Sequence, residues 1–143
     1  MESREFVKRV QDQAELAAPD DAVAAIEAVL GTLGEMLSPL ERRHLAAQLH
    51  KPMKDYVSRW VQRPPKEIIR PHRFTLEEFY NRVAARSEVR YPAAVKHSQV
   101  VMLVLREAVA QGELDDVFRE LPQEYEELLT GTAKSPASPS IVK

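Results

Sequence analysis

Residues 30–49 read LGTLGEMLSPLERRHLAAQL and residues 102–121 read MLVLREAVAQGELDDVFREL. Laid one on the other, their apolar positions coincide. Leu30, Leu33 and Leu37 fall on Met102, Leu105 and Val109, and Leu45 and Leu49 fall on Val117 and Leu121. The breaks coincide as well, Ser38-Pro39 in the first stretch and Gln111-Gly112 in the second. Further upstream Phe6 and Val10 match Phe79 and Val83 at an offset one residue larger, so one residue has been gained or lost between the first two helices, in a loop, where such changes are tolerated. Self-similarity at this period marks two copies of one supersecondary unit that bury their apolar faces on each other. The pattern predicts an all-α helical bundle built by internal duplication of a four-helix unit. Copy one spans residues 3–62, a connector spans 63–73, copy two spans 74–129, and residues 130–143 form a flexible tail rich in Ser and Pro.

Local signals place the helices. Phe6, Val10 and Ala14 make one stripe on a first helix from Ser3 to Ala17. Pro19-Asp20-Asp21 opens a second, with a proline in the first turn and acids at the positive end of the dipole. Ser38-Pro39-Leu40-Glu41 is a capping box for a third helix, in which Glu41 is expected to reach back to the serine amide. Pro52 begins a fourth, expected to run to Trp60 or Val61. Pro64, Pro65 and Pro71 keep the connector out of regular helix. Thr75-Leu76-Glu77-Glu78 repeats the capping pattern for a fifth helix, and Tyr91-Pro92 opens a sixth that ends before Gly112. Residues 100–105, VVMLVL, could pass for a buried strand. No breaker interrupts residues 93–110, and their counterpart in copy one is helical, so they read as a helix buried at the centre of the bundle or at a dimer interface. A seventh helix covers Glu113–Glu120, and Pro122 restarts the chain for a last one to Leu129.

Several of these stretches have a familiar form: Leu45-Ala46-Ala47-Gln48-Leu49, Thr75-Leu76-Glu77-Glu78-Phe79, Arg106-Glu107-Ala108-Val109 with Gly112-Glu113-Leu114-Asp115-Asp116-Val117, and Leu121-Pro122-Gln123-Glu124-Tyr125. From Phe6 to Leu128 the chain resembles a prokaryotic family known as domain of unknown function 2267. Copy two matches more closely. In copy one, Ser38-Pro39-Leu40 stands where members often carry a Gly-Gly turn, and His50-Lys51 where Leu-Pro is usual. The resemblance implies a small helical bacterial or archaeal protein. It brings neither an activity nor site residues.

Composition narrows the function by exclusion. The 143 residues are 44% hydrophobic and 29% charged, with four glycines and no cysteine, so thiol and disulfide chemistry are out. No apolar leader and no run of about 20 apolar residues is present, which predicts a cytoplasmic protein. There is no Gly-rich phosphate loop and no nucleophile elbow. Of the four histidines, His44 lies three residues from Glu41, but no third ligand is visible nearby in the chain, so neither a metal nor another cofactor is expected. His97 reads as a hydrogen-bonded histidine at the core edge. No enzyme is expected.

Charge is unevenly laid out. Residues 1–40 carry eight acids and three bases, residues 41–73 nine bases and three acids, and residues 107–130 eight acids and one base. One reading is complementarity within the chain or between subunits, with Arg42, Arg43, Lys51, Lys54 and Arg59 near Glu113, Asp115, Asp116, Glu124, Glu126 and Glu127. The other is a partner or phosphate surface made of those bases with Arg63, Lys66, Arg70 and Arg73, and with Trp60 to stack. A pI near 6.1 weighs against a dedicated nucleic-acid binder. The leading expectation is a non-catalytic binding or scaffold protein acting through protein contacts, as a homodimer or with a separate partner. A small-molecule sensor with a pocket between the copies near Tyr91 and His97, or a nucleic-acid accessory protein using the basic block, are the alternatives.

Overall fold

A computed structural model describes residues 1–61 and 73–130, with side chains to Leu128. The connector residues 62–72, among them Arg63, Lys66 and Arg70, and the tail residues 131–143 lie outside the described residues. Eight α-helices and no strand occur among those described: α1 Ser3–Gln13, α2 Pro19–Glu35, α3 Pro39–Ala47, α4 Met53–Tyr56, α5 Leu76–Ser87, α6 Tyr91–Ala108, α7 Gln111–Arg119 and α8 Glu126–Thr130, the last entered through a 3₁₀ turn at Gln123–Tyr125. None of these helices is long and apolar enough to cross a membrane.

The apolar stripes explain the packing. Helices α2 and α6 meet at the centre, and α1 and α5 each pack on both of them. The core they enclose includes Phe6, Val10, Ile26, Leu30, Leu33, Phe79, Val83, Val101, Met102 and Leu105, each almost fully buried. The apolar run at residues 100–105 is therefore the inner helix of the bundle. Helix α3 lies against α7 and α4 against α2, and α8 covers α6.

Two glycines set the approach of α4. A Cβ on Gly34 would overlap the Val57 carbonyl oxygen, and one on Gly31 would overlap the Trp60 ring. Helix α4 stops at Tyr56, short of the Trp60 expected from sequence. Beyond it the chain turns through tight bonds, Ser58 N–H to the Asp55 carbonyl at 3.3 Å and Arg59 N–H to the Tyr56 carbonyl at 3.0 Å, which lay Trp60 across Gly31. Helix α1 also ends early, at Gln13 rather than Ala17. Glu15 turns left-handed at φ 57°, and the Leu16 amide closes on the Gln11 carbonyl at 2.9 Å.

Polar ties run between the helices. Buried Glu35 on α2 is held by Arg86 of α5 at 2.5 Å and by Arg82 at 3.3 Å. Arg86 also reaches the Thr32 hydroxyl at 2.8 Å and lies 4.3 Å over the Trp60 ring. The Tyr80 hydroxyl donates to Glu127 at 2.5 Å, and the Gln99 amide donates to the Tyr80 oxygen at 3.3 Å. Burial, and then the Glu127 carboxylate, raise the Tyr80 phenol far above its usual range.

Candidate functional site

The seam between α3 and α7 is held by an exchange of helix caps. Ser38 caps α3 in the expected way, its hydroxyl accepting the Glu41 amide at 3.2 Å. The Ser38 backbone N–H goes elsewhere. It donates to a carboxylate oxygen of Glu120, at the end of α7, at 2.8 Å, while the Ser38 hydroxyl donates to the other oxygen at 2.9 Å. On the facing side Ala110 has no capping side chain of its own, and its N–H donates to the Gln48 side-chain oxygen, at the end of α3, at 2.8 Å. Each short helix thus supplies the residue that caps the other. Ser38 and Ala110 are equivalent positions at the offset found in the sequence, as are Gln48 and Glu120. Arg73 adds a bond to the Glu120 carbonyl at 2.8 Å.

Because Glu120 occupies the Ser38 amide, Glu41 does not reach back as the capping box predicts. Its side chain turns into the seam and meets Glu113, which holds the equivalent position on α7. Both residues are only 7% exposed. One oxygen of each, Oε2, is buried with no hydrogen-bond donor among the described residues. The other oxygen of Glu113 accepts the Gln48 amide at 3.3 Å. Burial, and then the neighbouring Glu41 carboxyl, push Glu113 up to about 8. His44, one turn beyond Glu41 and exposed, completes a group in which one donor atom from each of Glu41, His44 and Glu113 lies within 4.8 Å of the others. Sequence reasoning considers Glu41 with His44 but misses Glu113, because the third group comes from the other helix. The sequence does carry a signal, since the offset that lays Leu30 on Met102 also lays Glu41 on Glu113.

Of the expected basic set, several described members are engaged within the chain. Arg42 donates to the Gly34 and Leu37 carbonyls at 3.0 and 3.1 Å, closing the end of α2, and burial lowers its pKa. Arg59 pairs with Glu27 at 2.7 Å, and Arg73 is tied to Glu120. Trp60 is half-buried under Arg86. Arg43, Lys51 and Lys54 are exposed and form no ion pair among the described residues. The expected pairing of the basic block with Glu113, Asp115, Asp116, Glu124 and Glu126 is not formed as ion pairs. Asp116 is taken by Arg119 at 2.6 Å, and long-range pairs elsewhere join Arg9 to Glu107, Lys96 to Glu15, and Arg82 and Arg86 to Glu35. The two blocks do meet through uncharged partners at the α3–α7 seam.

The two residues expected at a pocket both lie on α6. Tyr91 is half-buried and packs edge-on against the Tyr80 ring at 5.8 Å. His97 is 7% exposed with Nδ1 unpartnered, and burial holds its imidazole below the usual value. An open pocket of about 380 Å³ lies elsewhere, lined by Arg4, Val7, Lys8, Gln11 and Pro19, and contains neither residue.

Fold and seam together define an all-α protein whose most unusual chemistry is a buried carboxylate pair between two short, mutually capped helices. The chain belongs to the family described as an uncharacterised conserved protein, DUF2267, whose model matches residues 3–128. No curated protein matches it.

Proposed function

We propose that the protein is a non-catalytic binding protein that acts through protein contacts, and that its contact surface is the outer face of α3 with the start of α4. The sorting of the cations carries this reading. Arg42 and Arg59 are consumed by contacts within the chain, whereas Arg43, Lys51 and Lys54 stay exposed without ion pairs among the described residues. Leu40, 55% exposed and three residues before Arg43, lies on the same face and is the one large hydrophobic side chain exposed among the described residues. Such a face fits a partner protein with an acidic patch beside an apolar one. Protein is favoured over nucleic acid because the expected stacking ring, Trp60, is already covered by Arg86. Duplication of one helical unit is the origin we propose for the exchanged caps, whose members are equivalent positions.

Crosslinking of the full-length tagged chain in nuclease-treated native lysate tests the reading, with Arg43→Glu/Lys51→Glu/Lys54→Glu compared against Arg90→Glu. An acidic protein crosslinked through residues 40–54, lost from the triple variant and kept by the control, is the expected result. Crosslinks that avoid that face, or that survive the triple reversal, overturn it. Crosslinks between copies of this chain through the same face would identify the partner as a second copy.

A further inference from the structure

We infer that the α3–α7 seam is a divalent-cation site, in which Glu41 and Glu113 each give a carboxylate oxygen and His44 an imidazole nitrogen to one first-row transition-metal ion of the zinc or manganese class. The inference is independent of the protein-contact reading.

Four observations converge on it. The three donor atoms already lie within 4.8 Å of one another. Both carboxylates are buried, and when both are ionised each has an oxygen with no donor among the described residues. Two carboxyl groups packed together away from water must be neutralised, by a proton or by a cation. Among the described residues no cation does this: the nearest guanidinium in sequence, Arg42, is turned away onto the Gly34 and Leu37 carbonyls. Finally, Glu113 is steadied from behind by the Gln48 amide, and Gln48 is itself fixed by the Ala110 N–H. Outer partners of this kind orient metal ligands.

The donor set selects the ion. Imidazole with two carboxylates suits zinc and manganese, whereas calcium and magnesium favour oxygen alone. An ion bound at about 2.0–2.2 Å draws its ligand atoms to about 3.0–3.5 Å apart, so the present cluster must close a little around it. His44 is exposed, so its ring can move without disturbing the core. Three protein donors leave a coordination position to water on the side where His44 meets solvent. The set is not mirrored by a second histidine. The position equivalent to His44 is Asp116, which Arg119 holds at 2.6 Å.

Isothermal titration calorimetry tests the site, using full-length protein stripped with EDTA, at near-neutral pH, with zinc chloride and separately with manganese chloride. We expect saturable binding of one zinc ion per chain. Binding should be abolished in Glu41→Gln/Glu113→Gln, weakened about tenfold or more in His44→Ala, and unchanged in Asp115→Asn, an exposed acid of the same helix. Circular dichroism checks that the double variant is folded; should it not fold, the exposed His44→Ala substitution decides alone. Failure of both ions to saturate overturns the inference. So does zinc binding of unchanged affinity in every folded variant of the three ligands.

Discussion

Glu41 and Glu113 occupy the same place in the first turns of two different helices, and their carboxyls meet in the buried seam between them. Either residue alone would be an ordinary helix-start acid, favoured by the dipole and hydrated. Brought together away from water, they become a pair that cannot hold two negative charges at low cost. The cap exchange enforces the meeting, because Glu120 takes the Ser38 amide that Glu41 would otherwise accept.

The pair makes stability depend on pH. Glu113 is pushed up to about 8 in the folded protein from 4.5. Between these values the folded chain keeps a proton that the unfolded chain releases. The stabilisation is therefore complete below about pH 4.5 and is lost as the pH rises through about 8. Thermal melts of metal-free protein should show this contribution as a Tm that declines across the window, with Glu113→Gln flattening the decline. A Glu113→Gln variant that keeps the wild-type slope contradicts the assignment.

The exchanged caps should be worth as much as ordinary ones. Glu120→Ala leaves the Ser38 amide and hydroxyl without their acceptor, and Gln48→Ala does the same to the Ala110 amide. Each is expected to cost about 1 kcal/mol, within the range of about 0.5–2 for lost caps. Glu120→Ala should be the costlier, since its bonds are charge-assisted. Urea denaturation measures both, and no loss in either variant would show the caps to be idle.

Gly34→Ala should be the most damaging small substitution in the bundle. Its Cβ meets backbone, the Val57 carbonyl, so the end of α4 must move. Overpacking of this kind costs about 1–3 kcal/mol, and more where the obstacle is main chain. Gly31→Ala overlaps the Trp60 ring, which can swing outward, and comes no nearer than 3.2 Å to backbone, at the Tyr56 carbonyl oxygen. The expected result is a milder destabilisation with a red shift in tryptophan emission, and an unshifted emission would contradict the packing.

Sequence made the helical class legible because its signals are local: apolar stripes at helical spacing, Pro19, Pro39 and Pro92 in first turns, and the Ser38 and Thr75 caps. The helix ends were less legible. Nothing in Gln13-Ala14-Glu15-Leu16-Ala17 disfavours helix, and the left-handed turn at Glu15 is a tertiary outcome. The end of α4 was no more legible, since nothing local marks the point where Val57 packs on Gly34. The basic block looked continuous in the chain, but whether a cation is free depends on neighbours distant in sequence. Glu27 removes Arg59, and the end of α2 removes Arg42. The carboxylate pair was hidden because its members belong to different helices, although the offset that lays Leu30 on Met102 places one on the other.

Cutting the buried α2–α5 tie should be costly. Arg86→Ala leaves Glu35 with Arg82 alone at 3.3 Å, removes the donor to Thr32 and uncovers Trp60. Removing one partner of a buried pair costs about 3–5 kcal/mol, and the remaining arginine should hold the loss toward the lower end. Chemical denaturation with tryptophan fluorescence reads both the stability and the exposure of Trp60. A loss no larger than that of a surface arginine such as Arg90 would contradict the network.

The most direct measurement is a carboxyl-carbon NMR titration of the full-length, metal-free protein labelled at glutamate, with the Glu113 signal assigned through Glu113→Gln. Glu113 is expected to titrate near pH 8, and zinc at neutral pH to shift its signal to the carboxylate position. A Glu113 signal that titrates near 4.5 and does not respond to zinc would contradict it.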